Sequence, residues 1–378
     1  MSQSNSQQSQ QMSAMQTNLQ QRAAFLANSK RVRKTLPTVN VVSGQSNYAI
    51  PLNNQGVLYG IDIEVTLDIT AGAAAAAPNV GAPYSFLTNL NFVDQQGITR
   101  HNLSGRFLWD YLSFRSTRAA PFNASVTLAE GGGTITGPSY PAIPSLAASA
   151  TGTVKFLLHM PIAKGWNNPT GAVVLQTGNQ NQPAVLNLQL TNNLAGQADS
   201  PYDAAFSITG GSFVVHQCYW QPLAGAAVPM LDTALQWALT QSQNDTTNIA
   251  QGMQKQVNFQ TQFLTSAVGI RFFNGTAYTY GTDLSSVLLQ GNGGTFNLDD
   301  DDPLLRFLRY RNGRGFDCAP GLYWFDFADA PLLDAAVGVY SATFNVTTAG
   351  SGAYMQYLYD WLKVPTALQS VPGINQIG

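Results

Sequence analysis

The chain has 378 residues, enough to bury a large core or two, and only 10% of them are charged, against roughly 25% in an ordinary soluble protein. Gln, Asn, Ser, Thr, Ala and Gly take the place of the missing charges, which suits a polypeptide packed against others better than a freely diffusing enzyme kept apart by charge. Residues 1–61 carry five cations and no anion, whereas the remainder sets 13 Lys and Arg against 20 Asp and Glu, so a basic segment leads an acidic body that is a poor partner for nucleic acid.

Residues 1–11 are Ser/Gln low complexity and are expected to lack regular structure. From Gln7 to about Ser29 the apolar residues Met12, Met15, Leu19, Ala23 and Leu26 recur at helical spacing, which predicts an amphipathic helix. Arg22 lies within it, the basic run Lys30, Arg31, Arg33 and Lys34 follows, and Pro37 ends the pattern. An apolar stripe beside cations suits docking on a neighbouring protein subunit or lying at a lipid surface. Met12, Met15, Leu19, Arg22, Leu26, Lys30, Arg31, Arg33 and Lys34 are therefore the candidate contact residues of an arm spanning residues 1–37. Deleting residues 1–35 is expected to leave the body folded.

After Pro37 the texture changes to short runs bounded by Gly, Pro and Asn. Alternation of period two marks strands at 57–69, 184–193, 212–220 and 353–362, and strand texture continues to about residue 365. Short helical inserts are expected near 104–114, 232–242 and 282–290. The long neutral segments 71–83 and 129–152, rich in Ala, Gly and Pro, read as outward projections or contacts between subunits. No run of 18 apolar residues exists, and the N-terminus lacks the apolar stretch of a secretory signal.

The order of elements occurs twice. "LNFVDQQGITRHNLSGRFLWDYL" (90–112) and "IRFFNGTAYTYGTDLSSVLLQ" (270–290) both read as strand, turn, strand and short helix, the second turning at Asn274–Gly275. Residues 153–165 are echoed by 321–333, 185–193 by 340–350, and 212–222 by 353–365. The economical fold is all-β: two tandem eight-stranded jelly rolls, over 38–225 and 226–366, with short helical inserts, an N-terminal amphipathic helix and a tail at 367–378. Three such chains around a threefold axis would present six rolls and a near-hexagonal outline.

Chemistry is sparse. His101, His159 and His216 form no metal-spaced pair, and no HExxH, GxSxG, Walker loop or dinucleotide fingerprint occurs, so neither a cofactor nor a catalytic role is expected. Cys218 and Cys318 read as free buried thiols. Asp299, Asp300, Asp301 and Asp302 form the one dense carboxylate cluster; an ion-paired helix start facing Arg306 is favoured over a subunit contact or a calcium site. The Arg-rich stretch 306–314 stands beside that acidic run, which would repel phosphate.

The sequence resembles the double jelly-roll major capsid proteins of tailless icosahedral phages with an internal membrane, the tectivirus type. The likeness is carried by the Gln-rich helix ending at a basic run, the strand–turn–strand at 90–101, "RAAPF" (118–122), and "TGAVVLQTGNQNQPAVLNLQLTNN" (170–193). It continues in "FFNGTAYTYGTDLSSVLLQ" (272–290) and "PGLYWFDFADAPL" (320–332). The resemblance implies a homotrimeric building block in the capsid shell of a virion. The N-terminal helix would lie beneath it, near the membrane or a minor capsid protein. The rival reading is a two-domain β-sandwich adhesin or carbohydrate-binding surface protein.

Overall fold

The computed structural model describes residues 16–79, 81–115, 124–127, 134–137, 143–175, 182–191, 199–223, 227–259, 264–278, 283–291, 296–300, 321–326 and 340–363. Residues 16–27 form helix α1. Twelve strands follow: β1 (Ser29–Thr35), β2 (Val39–Asn40), β3 (Asn47–Pro51), β4 (Val57–Ala71), β5 (Leu87–Val93), β6 (Thr99–Leu103), β7 (Ala124–Thr127), β8 (Thr134–Gly137), β9 (Thr151–Pro161), β10 (Val173–Val174), β11 (Val185–Leu190) and β12 (Phe206–Pro222). Helix α2 (Gly105–Arg115) lies between β6 and β7. The second half holds the short helix α3 (Met230–Ala234), then β13 (Gln236–Gln241), β14 (Gln254–Asn258), β15 (Leu264–Phe273) and β16 (Leu284–Gly291). It closes with β17 (Phe296–Asp300), β18 (Leu322–Asp326), β19 (Tyr340–Val346) and β20 (Tyr354–Lys363).

Alternation explains the strands. In β4, Ile61, Ile63, Val65, Leu67 and Ile69 are at most 1% exposed, and Asp62, Glu64 and Asp68 point the other way, so a slip of one residue would bury three carboxylates. The antiparallel partner β12 bulges between Ile208 and Gly210. Gly211 sits there at φ +136°, where a Cβ would lie 2.1 Å from the Thr66 carbonyl oxygen, so only glycine fits the bulge.

The strands pair in the same order twice. In the first half one sheet reads β1-β12-β4-β9 and the other β3-β11-β5-β6; in the second they read β13-β20-β15-β18 and β14-β19-β16-β17. Leaving aside β2, β7, β8 and β10, each half follows the pattern 1-8-3-6 and 2-7-4-5, which is a jelly roll. The rolls are not independent. β6 pairs in parallel with β13, Leu239 opposite His101, and this joins the halves into one eight-stranded sheet.

This order sharpens the doubling. β9 answers β18, β11 answers β19 and β12 answers β20, as the paired blocks require. The block 90–112 holds the fourth and fifth strands of its roll, whereas 270–290 holds the end of the third and the fourth, so that pair is offset by one strand. Among the described residues the second hairpin expected at Asn274–Gly275 is absent. Asn274 Oδ1 accepts the Thr276 and Ala277 amides at 2.8 Å in a turn, and the chain crosses to β16 in the other sheet.

Two expected helices are strands. Residues 232–242 contain β13, hydrogen-bonded to β20, and 282–290 lie largely in β16, between β17 and β19. Leu and Ser are acceptable helix formers, but pairing with strands distant in sequence outweighs so weak a local preference. The insert near 104–114 is α2, and Ser104 caps it through a 3.3 Å bond from the Phe107 amide.

The basic run is likewise a strand. β1 pairs with β12 along its whole length, from Ser29 opposite Pro222 to Thr35 opposite His216. The first roll thus begins ahead of residue 38, and residues 29–35 belong to a sheet. Asp299 and Asp300 lie in β17, in extended backbone and not at a helix start. Asp301, Asp302, Cys318 and the Arg-rich stretch lie outside the described residues.

Candidate functional site

Two places join what the sequence keeps far apart: the root of the N-terminal helix and the seam between the rolls. At the root, Phe25 of α1 is 1% exposed and meets the Trp220 ring edge-on, with centroids 5.6 Å apart. Trp220 packs in turn on Tyr59, and Val57, Ala163 and Ala172 complete a small core against which Leu26 rests. One turn away, Arg22 Nη2 donates to Asp232 Oδ1 of α3 at 2.6 Å and to Thr170 Oγ1 at 3.2 Å. Thr170 donates to the same carboxylate at 3.1 Å, and the Asp232 side chain is fully buried. Gly171 holds this corner at φ +84°, where a Cβ would stand 2.5 Å from that of Trp237.

Arg22, Phe25 and Leu26 turn toward the body, whereas Leu19 is 49% exposed and Ala23 is exposed. Met12 and Met15 lie outside the described residues. Phe25 interrupts the regular stripe and so stands outside the predicted contact set; its pairing with Trp220 reveals it. An aromatic residue one position before Leu26 was the available signal.

The basic residues have separate duties. Arg33 donates to Asp62 at 3.0 Å and to Glu64 at 3.4 Å, and Lys34 donates to Gln55 at 3.1 Å. The Arg31 guanidinium lies 5.0 Å from the centre of the Trp166 ring, and Lys30 is exposed. His159 joins Asp62 at 2.6 Å, and His216 joins Glu64 at 2.6 Å and Thr35 at 2.9 Å. Burial alone would raise Asp62, but the hydrogen bond and charge of His159 and the bond from Arg33 hold its carboxyl at about 2. Burial pushes the neighbouring Cys218 thiol up to about 12, so it stays protonated and a poor nucleophile.

At the seam, α2 of the first roll lies against β15 and β20 of the second. Every residue of β15 is buried, because one face meets its own roll and the other meets this helix. Arg271 of β15 donates to Asp110 of α2 and stacks 3.8 Å over the Phe107 ring. Phe114 stacks on Trp324 with centroids 4.3 Å apart. Asp360, 1% exposed, accepts from Trp237 at 2.7 Å, Arg115 at 2.8 Å and Tyr111 at 2.9 Å. Burial would raise the Asp360 carboxyl, yet the positive charges of Arg115 and Lys164 and the Trp237 bond hold it below its ordinary range. Beyond it, Asp199 accepts from Tyr354 at 2.6 Å, Tyr278 at 2.7 Å and Arg106 at 3.1 Å. His101 is fully buried and held down to about 3, so its neutral Nδ1 accepts the Leu239 amide at 3.0 Å where the two rolls' sheets join.

These groups are locked to one another, as suits mortar between two rolls. Among the described residues no cluster of three His, Cys, Asp or Glu is placed to hold a metal ion, and no helix is long and apolar enough to cross a membrane.

Comparison with known proteins follows the same lines. The chain is similar in structure to the major capsid protein of Sulfolobus Turreted Icosahedral Virus, with a TM-score of 0.63 at 15% identity over 90% of this chain and 99% of that one. It is also similar to VP54 of PBCV-1, with a TM-score of 0.56 at 11% identity over 88% and 94% of the two chains. The major capsid protein P2 of bacteriophage PM2 gives 0.51 at 9% identity over 89% and 98%. No curated protein sequence matches significantly. A family model described as the P3 major capsid protein N-terminal region matches residues 2–213. Because that model spans more than half of the chain, the protein belongs to the P3 family of phage major capsid proteins, components of the virion shell.

Proposed function

We propose that the chain is the repeating tile of an icosahedral capsid, assembling as a pseudo-hexagonal homotrimer over an internal membrane. The observation that carries this reading is the repeated strand order, with both rolls joined in one eight-stranded sheet and sealed by α2. A threefold arrangement of such a pair offers six similar outward units, and a near-hexagon tiles a closed surface with few distinct contacts. The work of the protein is geometric and needs no catalytic group. The rigid seam sets the angle between rolls, and side-by-side burial holds the trimer.

In this reading the arm ahead of β1 reaches the layer beneath, a membrane or a minor capsid protein. Its outward face is the one bearing Leu19, left exposed when Phe25 docks. Native mass measurement with negative-stain imaging of the purified full-length protein tests the tile: trimers and hexagonal arrays are expected, and a monodisperse monomer that never assembles would refute it.

A further inference from the structure

A cavity of about 530 Å³ opens where the two rolls meet the root of α1. Its walls include Tyr59, Tyr111, Trp166 and Trp237, with Arg115 and Lys164 among them. The end of the molecule on which it lies follows from strand direction. Ser29 opposes Pro222, Val57 opposes Trp220 and Gly60 opposes Pro161, so β1 and β4 begin, and β9 and β12 end, on one side. The Ala- and Gly-rich segments leave β4 after Ala71 and enter β9 before Thr151, at the opposite side. The cavity therefore faces the side from which the arm departs and away from the ends of β4 and β9 that meet the Ala- and Gly-rich segments.

Its chemistry is that of an anionic, partly apolar ligand. Arg115 and Lys164 bring two positive charges, the first of them paired with Asp360, and His159 is paired with Asp62. Arg31, exposed, adds a third cation at the rim, stacked on Trp166. Trp166 is 61% exposed, unusual for so large an apolar ring, and tryptophan with flanking cations suits the boundary between water and lipid. A free phosphate would need the cations but not the aromatic walls; a phosphoglyceride uses both. We propose that this cavity seats the anionic headgroup of a membrane lipid, an inference that rests on the internal-membrane reading of the shell.

The test is flotation of full-length protein with phosphatidylglycerol-rich vesicles and with pure phosphatidylcholine vesicles, beside a chain carrying Trp166→Ala and Lys164→Gln and a chain lacking residues 1–15. The wild type is expected to float with the anionic vesicles. The double variant, with its thermal unfolding unchanged, should lose binding about tenfold, the effect of one cation and one interfacial aromatic. The shortened chain should keep the difference between the two lipids. A double variant that floats like the wild type overturns the cavity assignment but leaves the membrane reading standing. A wild type that floats with neither vesicle overturns both. Inorganic phosphate alone is the remaining arm: if it shifts the tryptophan emission of a wild type that does not float, the ligand is free phosphate and the lipid assignment falls.

Discussion

Asp360→Asn tests whether the seam between the rolls is held by its buried charges. The carboxylate is 1% exposed and accepts three bonds, two of them from α2 of the other roll. The amide keeps the shape but removes the charge opposite Arg115, and its NH2 would face either the Trp237 indole N–H or the Arg115 guanidinium, which can only donate. Breaking one partner of a buried pair costs about 3–5 kcal/mol, because the remaining charge stays desolvated. Unfolding entropy is about 2.1 cal/mol/K per residue, so a chain of 378 residues should lose about 5 °C in melting temperature. Calorimetry on Asp360→Asn, Arg115→Ala and the double variant supplies the measurement. The two losses should overlap by about 2 kcal/mol, since removing either partner already breaks the pair. A melting point within about 1 °C of the wild type, or two strictly additive losses, would refute the reasoning.

The structure reverses the expected effect of shortening the arm. Deleting residues 1–15 should leave the melting temperature unchanged, whereas deleting 1–35 strips β1 from the edge of β12 and Phe25 from Trp220, and should yield aggregated chain on size-exclusion chromatography. Phe25→Ala alone should cost about 3 kcal/mol in denaturant unfolding, as for other buried aromatics. Gly171→Ala should destabilise by more than 1 kcal/mol through its positive φ and the 2.5 Å approach to Trp237, seen as a lower urea midpoint at unchanged slope. Acid should also weaken the fold through His101. Its folded pKa of about 3 lies below the unfolded 6.5, so its contribution is complete above pH 6.5 and drains as pH falls toward 3, by on the order of 4 kcal/mol. His101→Gln keeps an acceptor for Leu239 without titrating and should flatten this limb of a stability-against-pH curve.

Much of the fold was legible because burial on one face writes itself as alternation. β4, β11, β12 and β20 were read directly from period two, and α2 from its helical spacing and Ser104. Where the pattern served two geometries the reading failed. The apolar residues of 282–290 suit a helix or a strand, and the pairing of β16 with β19, some fifty positions away, decides for the strand. The doubling was visible, yet one pair of blocks was offset, since similar strand–turn–strand texture recurs at successive places in the same roll.

The candidate arm shows the same boundary. Its residue types announced a basic, amphipathic segment, and composition announced a chain poor in charge. What no local pattern contained was the use of each residue: Arg33 on Asp62, Arg22 on Asp232, Phe25 under Trp220. Each such partner lies between 29 and 210 positions away. The sequence by itself determined the β class, the repetition and the division of charge, because these depend on spacing within a strand or on totals. Only the tertiary structure decided that the rolls share one sheet, that α2 seals them and that a cationic, aromatic cavity opens beneath the seam, because those features exist only once distant strands have met.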